Sequence, residues 1–115
     1  MNKNLYKYKE EKLYDYILAL EDNDLKKIDA IINDNTIINL INTNEILDKP
    51  SYIEFLNDKM INGYFEKFNV ERLTPYNEEN VILIYTIKGY KVVSLININD
   101  NKISNIDDYW FKIFD

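Results

Sequence analysis

Few residues in this chain could do chemistry, because its 115 residues include no histidine and no cysteine. That removes imidazole acid–base catalysis, thiolate nucleophiles, Cys/His zinc sites and disulfides, leaving carboxylates, Lys, Tyr, Ser and Thr. Asp108 is distinguished by its neighbours: it alternates with Ile106 and Trp110, so a strand here sets a carboxylate on an otherwise apolar face. A carboxyl so placed has its pKa raised by desolvation and could serve as acid, base or ligand anchor, whereas at an exposed rim it would do none of these. Tyr16 is the second catalytic candidate, although its place on an apolar stripe is equally explained by packing. Ser94 interrupts an apolar strand face; it could hydrogen-bond a ligand, or fit where a larger side chain would clash. With Tyr85, Ile106 and Trp110 it makes a candidate lining for a small-molecule pocket. Asp107-Asp108 alone has too few oxygens for a hard cation and no Asp-x-Asp-x-Asp-Gly spacing occurs, so neither a metal nor a cofactor is expected.

These residues need elements to position them. Within residues 5–21, Leu13, Tyr16, Ile17 and Leu20 fall at i, i+3, i+4 and i+7, the core stripe of an amphipathic helix. Asn23 or Asp24 can cap a second, shorter helix in which Leu25, Ile28, Ile31 and Ile32 share a face. Thr36 to Ile41 is short and β-branched and predicts a strand, followed by a turn at Asn42-Thr43-Asn44 and a short partner strand at Glu45 to Leu47. Ser51-Tyr52-Ile53-Glu54 has the form of a capping box, predicting a third helix from Ser51 to about Ile61 that buries Ile53, Leu56 and Met60. Four β-rich runs follow: Tyr64 to Leu73, Val81 to Ile87, Tyr90 to Ile98 and Lys102 to Phe111. Helices first and strands last, without βαβ alternation, predict a single α+β domain over residues 1–115 with a mainly antiparallel sheet.

Turn lengths then decide which side chains share a face. Lys88-Gly89 reads as a two-residue hairpin loop, pairing Ile87 with Tyr90, Tyr85 with Val92 and Leu83 with Ser94. One face carries Val81, Leu83, Tyr85, Val92, Ser94 and Ile96. The other carries Ile82, Ile84, Val93 and Leu95 and is also apolar, so both faces need cover. Three helices can cover one. A second copy packing sheet to sheet is the economical cover for the other, and a homodimer through Ile82, Ile84, Val93 and Leu95 is expected; a heavily twisted sheet that shields its own outer residues is the alternative. Asn99-Asp100-Asn101 suits a three-residue loop with Asn101 in the left-handed region, pairing Ile98 with Lys102 and turning Ile106, Asp108 and Trp110 to the Ser94 face. A two-residue loop would turn Asp107 and Tyr109 inward instead.

Charge narrows the partners. Fourteen basic against twenty acidic side chains give a net charge of -6, and Leu13 to Gly63 carries ten acids against four lysines, so nucleic acid is not an expected partner. The one basic-leaning stretch is the first dozen residues. Glu10, Glu11 and Asp15 break every candidate apolar run near the start, and no stretch approaches about 18 apolar residues, so neither a secretory signal nor a membrane span is read and a cytoplasmic location is expected.

The run Tyr16 to Leu25, the short helix through Ile28 to Asp34, the helix carrying Tyr52 to Leu56 and the closing Leu95 to Ile103 resemble the NTF2-like superfamily, which includes SnoaL-like polyketide cyclases and ketosteroid isomerases. The resemblance spans nearly the whole chain and is carried by packing and turn signals. It implies helices packed in the concave face of a strongly bent sheet, a cystatin-like cone with a pocket at its open end, and frequent dimerisation through the outer sheet face. Aligned without gaps, the oxyanion-holding tyrosine of the isomerases falls on Tyr16, their general-base aspartate on Leu40 and their second oxyanion-hole acid near Ser94. The resemblance therefore argues against an isomerase, whose proton shuttle has no base here. Histidine-dependent cyclases and dehydratases are excluded by composition. The expectation is binding of an apolar or aromatic small molecule, with any catalysis resting on Asp108 and Tyr16. The competing expectation is a non-enzymatic protein-interaction module whose cone is filled by its own side chains.

Overall fold

The structure, a computed structural model, describes the backbone of residues 3–113 and the side chains of 11–113. The side chains of the basic-leaning start lie outside that range up to residue 10. Helix α1 (Lys3–Glu21) buries Leu13, Tyr16, Ile17 and Leu20, the predicted stripe. It closes on Asn23, whose φ of 56° lets the Asp24 amide reach back to the Ala19 carbonyl and the Asn23 amide to that of Leu20. Asp24 then caps α2 (Leu25–Ile31) by accepting from the Lys27 amide.

Strand β1 (Ile32–Leu40) follows with no turn, starting four residues before the expected Thr36. The segment Asn33-Asp34-Asn35 hid this start, because three polar residues of poor β propensity occupy the irregular stretch where the β1–β6 register shifts between Ile32 and Ile37. A 3-10 turn (Ile41–Thr43) and strand β2 (Glu45–Leu47) lead to α3 (Lys49–Ile61). The predicted cap at Ser51 is displaced: Asp48 is the N-cap, its carboxylate accepting from the Ser51 amide at 2.9 Å. Pro50 explains the shift, since a proline lacks the amide hydrogen that the first helical turn leaves unbonded and so fits inside that turn. The expected strand from Tyr64 is likewise shorter. Gly63, at φ 79°, ends the α3 region and starts a 3-10 turn (Tyr64–Lys67) that buries Phe65, and β3 begins only at Asn69 and runs to Pro75.

Strands β4 (Asn80–Ile87), β5 (Tyr90–Asn99) and β6 (Lys102–Lys112) complete an open six-stranded sheet in the order β2-β1-β6-β5-β4-β3. Every neighbouring pair is antiparallel except β1 and β6, so the sheet is mixed. The β4–β5 register is the expected one, with Ile87 opposite Tyr90 and Leu83 opposite Ser94.

The β5–β6 turn corrects the expected loop. Asn99 pairs with Lys102 across a two-residue loop whose Asp100 and Asn101 both have positive φ (50° and 69°), the geometry whose twist matches that of paired strands. Such a loop by itself would turn Asp107 inward. The register shifts between Asn97 and Ile98, where Ser104 is the extra residue of a bulge and donates to the Asn97 side chain. Beyond the bulge Ser94 faces Asp108, and Asp108 is inward as expected although the loop is not.

The core lies between the helices and the inner sheet face. Val81, Leu83, Tyr85, Val92, Ser94, Ile96 and Ile106 are all buried there, with Tyr52 and Leu56 of α3 and the stripe of α1 packed in the same cluster. On the outer face Ile82, Ile84, Val93 and Leu95 are half-buried.

Candidate functional site

Three adjacent strands bring Leu40, Asp108 and Ser94 side by side on the inner face, since Asp108 pairs with Leu40 of β1 on one side and Ser94 of β5 on the other. The position where the resemblance puts an isomerase base is therefore a leucine. A buried carboxyl lies one strand away from it.

Asp108 is 1% exposed. The Ser94 hydroxyl donates to one of its oxygens at 2.5 Å and the Trp110 indole N–H to the other at 3.3 Å. Burial raises the carboxyl to about 6, even though the Ser94 and Trp110 hydrogen bonds favour its ionised form and pull the other way; Asp107 adds a smaller upward push.

Three tyrosines from three elements surround it. The Tyr16 hydroxyl of α1 and the Tyr52 hydroxyl of α3 bond each other at 2.6 Å, and Tyr85 of β4 is also fully buried. Burial, reinforced by the nearby Asp108 carboxyl, pushes all three phenols above their ordinary range. They are therefore neutral near pH 7, able to donate a hydrogen bond but not to act as bases. The Tyr85 hydroxyl makes no hydrogen bond in good geometry among the described residues.

This cluster is closed: Tyr16, Tyr52, Tyr85, Ser94 and Ile106 are all 0% exposed. Around Asp108 the described side chains pack against one another without exposed surface. Open space lies further out, in a cleft of about 290 Å³ lined by Phe55 and Lys59 of α3, by Leu40, Tyr90 and Trp110 of the sheet and by Glu45. Trp110 meets Phe55 edge-on at 5.3 Å between ring centroids and Tyr90 at 5.7 Å, making an aromatic wall. The Asn42 side chain accepts from the Trp110 amide at 2.7 Å, which ties the 3-10 turn after β1 to this wall.

The expected site residues thus divide. Asp108, Tyr16, Ser94 and Tyr85 do gather, joined by Tyr52, but in the core. Ile106 packs between Ile38 and Ile96, and of the expected lining Trp110 alone reaches the cleft. Sequence reasoning missed Tyr52, Phe55, Lys59 and Tyr90. Their signals were present, since residues 52, 55 and 59 fall at i, i+3 and i+7 on one helical face and Tyr90 shares the Ser94 face of β5.

No protein-family model and no curated protein matches this sequence. Solved structures do match its fold. An NTF2-like protein of unknown function from Burkholderia xenovorans LB400 superimposes with a TM-score of 0.80 at 18% identity, over 96% of this chain and 88% of that one. A proposed ketosteroid isomerase from Kribbella flavida DSM 17836 gives 0.74 at 15% identity over 95% and 82%. A proposed SnoaL-like polyketide cyclase from Shewanella denitrificans OS-217 gives 0.69 at 18% over 88% of each chain. The chain has the NTF2-like α+β cone fold that its sequence resembles. At these identities the likeness carries the fold alone.

Proposed function

We propose that the protein binds a small planar aromatic molecule at the mouth of its cone, against the wall that Phe55, Trp110 and Tyr90 form together, without chemical turnover. One observation carries this reading: the aromatic-walled cleft is open, while Asp108, the one buried carboxyl among the described residues, is sealed behind Trp110 and packed against neutral tyrosines. An acid or base must come within hydrogen-bond distance of the atom whose proton it moves, and this closed packing admits no substrate that deep. Asp108 instead holds the Trp110 indole in place through its 3.3 Å hydrogen bond, so the carboxyl positions the cleft wall.

Trp110 is the chain's single tryptophan, so its emission reports on this cleft directly. Titration with cinnamyl alcohol or trans-cinnamate should quench it saturably, and Phe55→Ala should weaken that quenching. Quenching by both probes no stronger than that of free tryptophan amide would overturn the reading. The closed packing around Asp108 favours one second reading, an interaction module that uses its surface and not its cone. The outer sheet face supports a homodimer in either case: beside the half-buried Ile82, Ile84, Val93 and Leu95 lie Tyr109 and Phe111 of β6, 39% and 48% exposed.

A further inference from the structure

Beside the aromatic cleft lies a second hollow of about 630 Å³ that shares Lys59 and Tyr90 with it. Its cations come from three elements: Lys59 from the last turn of α3, Lys88 from the β4–β5 turn and Lys112 from the end of β6. The backbone holds them together. Lys112 pairs with Tyr90, the Ile113 amide donates to the Gly89 carbonyl at 2.9 Å, and the Lys88 amide donates to the Tyr64 carbonyl at 2.9 Å.

Charge makes this gathering unusual for the chain. The protein is acidic overall, at -6. Among the described lysines Lys49 and Lys91 alone have a carboxylate within 4.0 Å, so what sets Lys59, Lys88 and Lys112 apart is that one hollow gathers them. Asp58 also lines the hollow, so among the described residues three cations and one anion line it. The Lys59 ammonium sits over two rings, 5.4 Å from the centroid of Phe55 and 5.0 Å from that of Tyr64. That arrangement draws the charge to the junction of the two hollows without neutralising it. Unmatched like charges repel one another, and a bound anion relieves that repulsion.

We infer that Lys59, Lys88 and Lys112 form an anion subsite continuous with the aromatic cleft, so that the ligand is a planar aromatic carrying a carboxylate or similar anionic group. The ring lies against Trp110 and Tyr90, and the anionic end extends past Lys59 toward the β4–β5 turn. This rests on the mouth being a binding cleft, and deepens that reading by naming the class of ligand.

Two probes of matched shape test it, trans-cinnamate and cinnamyl alcohol, followed by Trp110 emission. At low ionic strength cinnamate should bind about tenfold tighter than the alcohol, an advantage that falls as salt screens the lysines. The variant carrying both Lys88→Gln and Lys112→Gln, at exposed positions where loss of charge leaves packing intact, should lose that advantage and keep its affinity for the alcohol. Equal affinities for the two probes, or an advantage that survives in the variant, would overturn the subsite and leave the aromatic cleft standing. Failure of both probes to quench saturably would remove the cleft reading and the subsite with it.

Discussion

Asp108 shows how burial sets the behaviour of one side chain. Its folded pKa of about 6 lies above the ordinary 3.8, so folding takes up a proton between those values. The stability the group contributes is full below pH 3.8 and is lost as the pH rises to 6. A rise of this size corresponds to about 3 kcal/mol. The surrounding phenols Tyr16, Tyr52 and Tyr85 are raised out of this range, and Asp34 and Asp48, held below the usual carboxylate value by contacts from Lys49 and Ser51, act with the opposite slope. Asp108→Asn is neutral throughout and keeps an acceptor for Ser94. The wild type should therefore lose about 2 kcal/mol relative to this variant between pH 4 and 7, read as the difference between their urea unfolding curves. Parallel pH profiles would show that Asp108 is not the group that titrates. The carboxyl's apolar surroundings were legible in the alternation of Ile106, Asp108 and Trp110. Its tyrosine neighbours were not, because they come from α1, α3 and β4 and meet only when those elements pack.

At the scale of elements, local signals were legible where one residue type has one physical role. Asn23 and Asp24 end one helix and cap the next as their types predict, and Lys88-Gly89 sets the β4–β5 register directly. Signals that compete were not. Ser51 and Asp48 are both capping residues three positions apart, and the tolerance of Pro50 inside the first turn selects Asp48. Asp48→Ala should accordingly lower the urea midpoint clearly, while Ser51→Ala, which keeps the amide that Asp48 accepts from, should shift it much less; the reverse order would restore Ser51 as the cap. The β5–β6 hairpin is the more instructive case. Reading the loop as two residues would have sent Asp107 inward, and reading it as three sent Asp108 inward for the wrong reason. The bulge at Ser104 reconciles a two-residue turn with a buried Asp108, because one extra residue inverts the facing of everything after it. Nothing local to Ser104 announces that insertion.

For the whole molecule, the open prediction concerns the outer sheet face. Two apolar faces on the central strands call for two covers, and the helices supply one. Sedimentation should show a dimer at micromolar concentration that Ile84→Lys converts to a monomer with the fold retained by circular dichroism. A monomeric wild type would mean that Ile82, Ile84, Val93 and Leu95 are shielded sufficiently by their strand neighbours, as their half-buried state in one chain allows. Periodicity and turn chemistry, read from the residues alone, determined the α+β class, the order of helices and strands, the inner face of β4 and β5, and the exclusion of histidine and thiol chemistry. These follow from interactions a few residues apart along the chain. Tertiary structure alone decided that β1 lies parallel to β6, that the cone is filled around Asp108, and that the open cleft sits beyond it, between Trp110 and Lys59. Those outcomes depend on the volume and direction of side chains brought together from distant elements, which spacing along the chain does not encode.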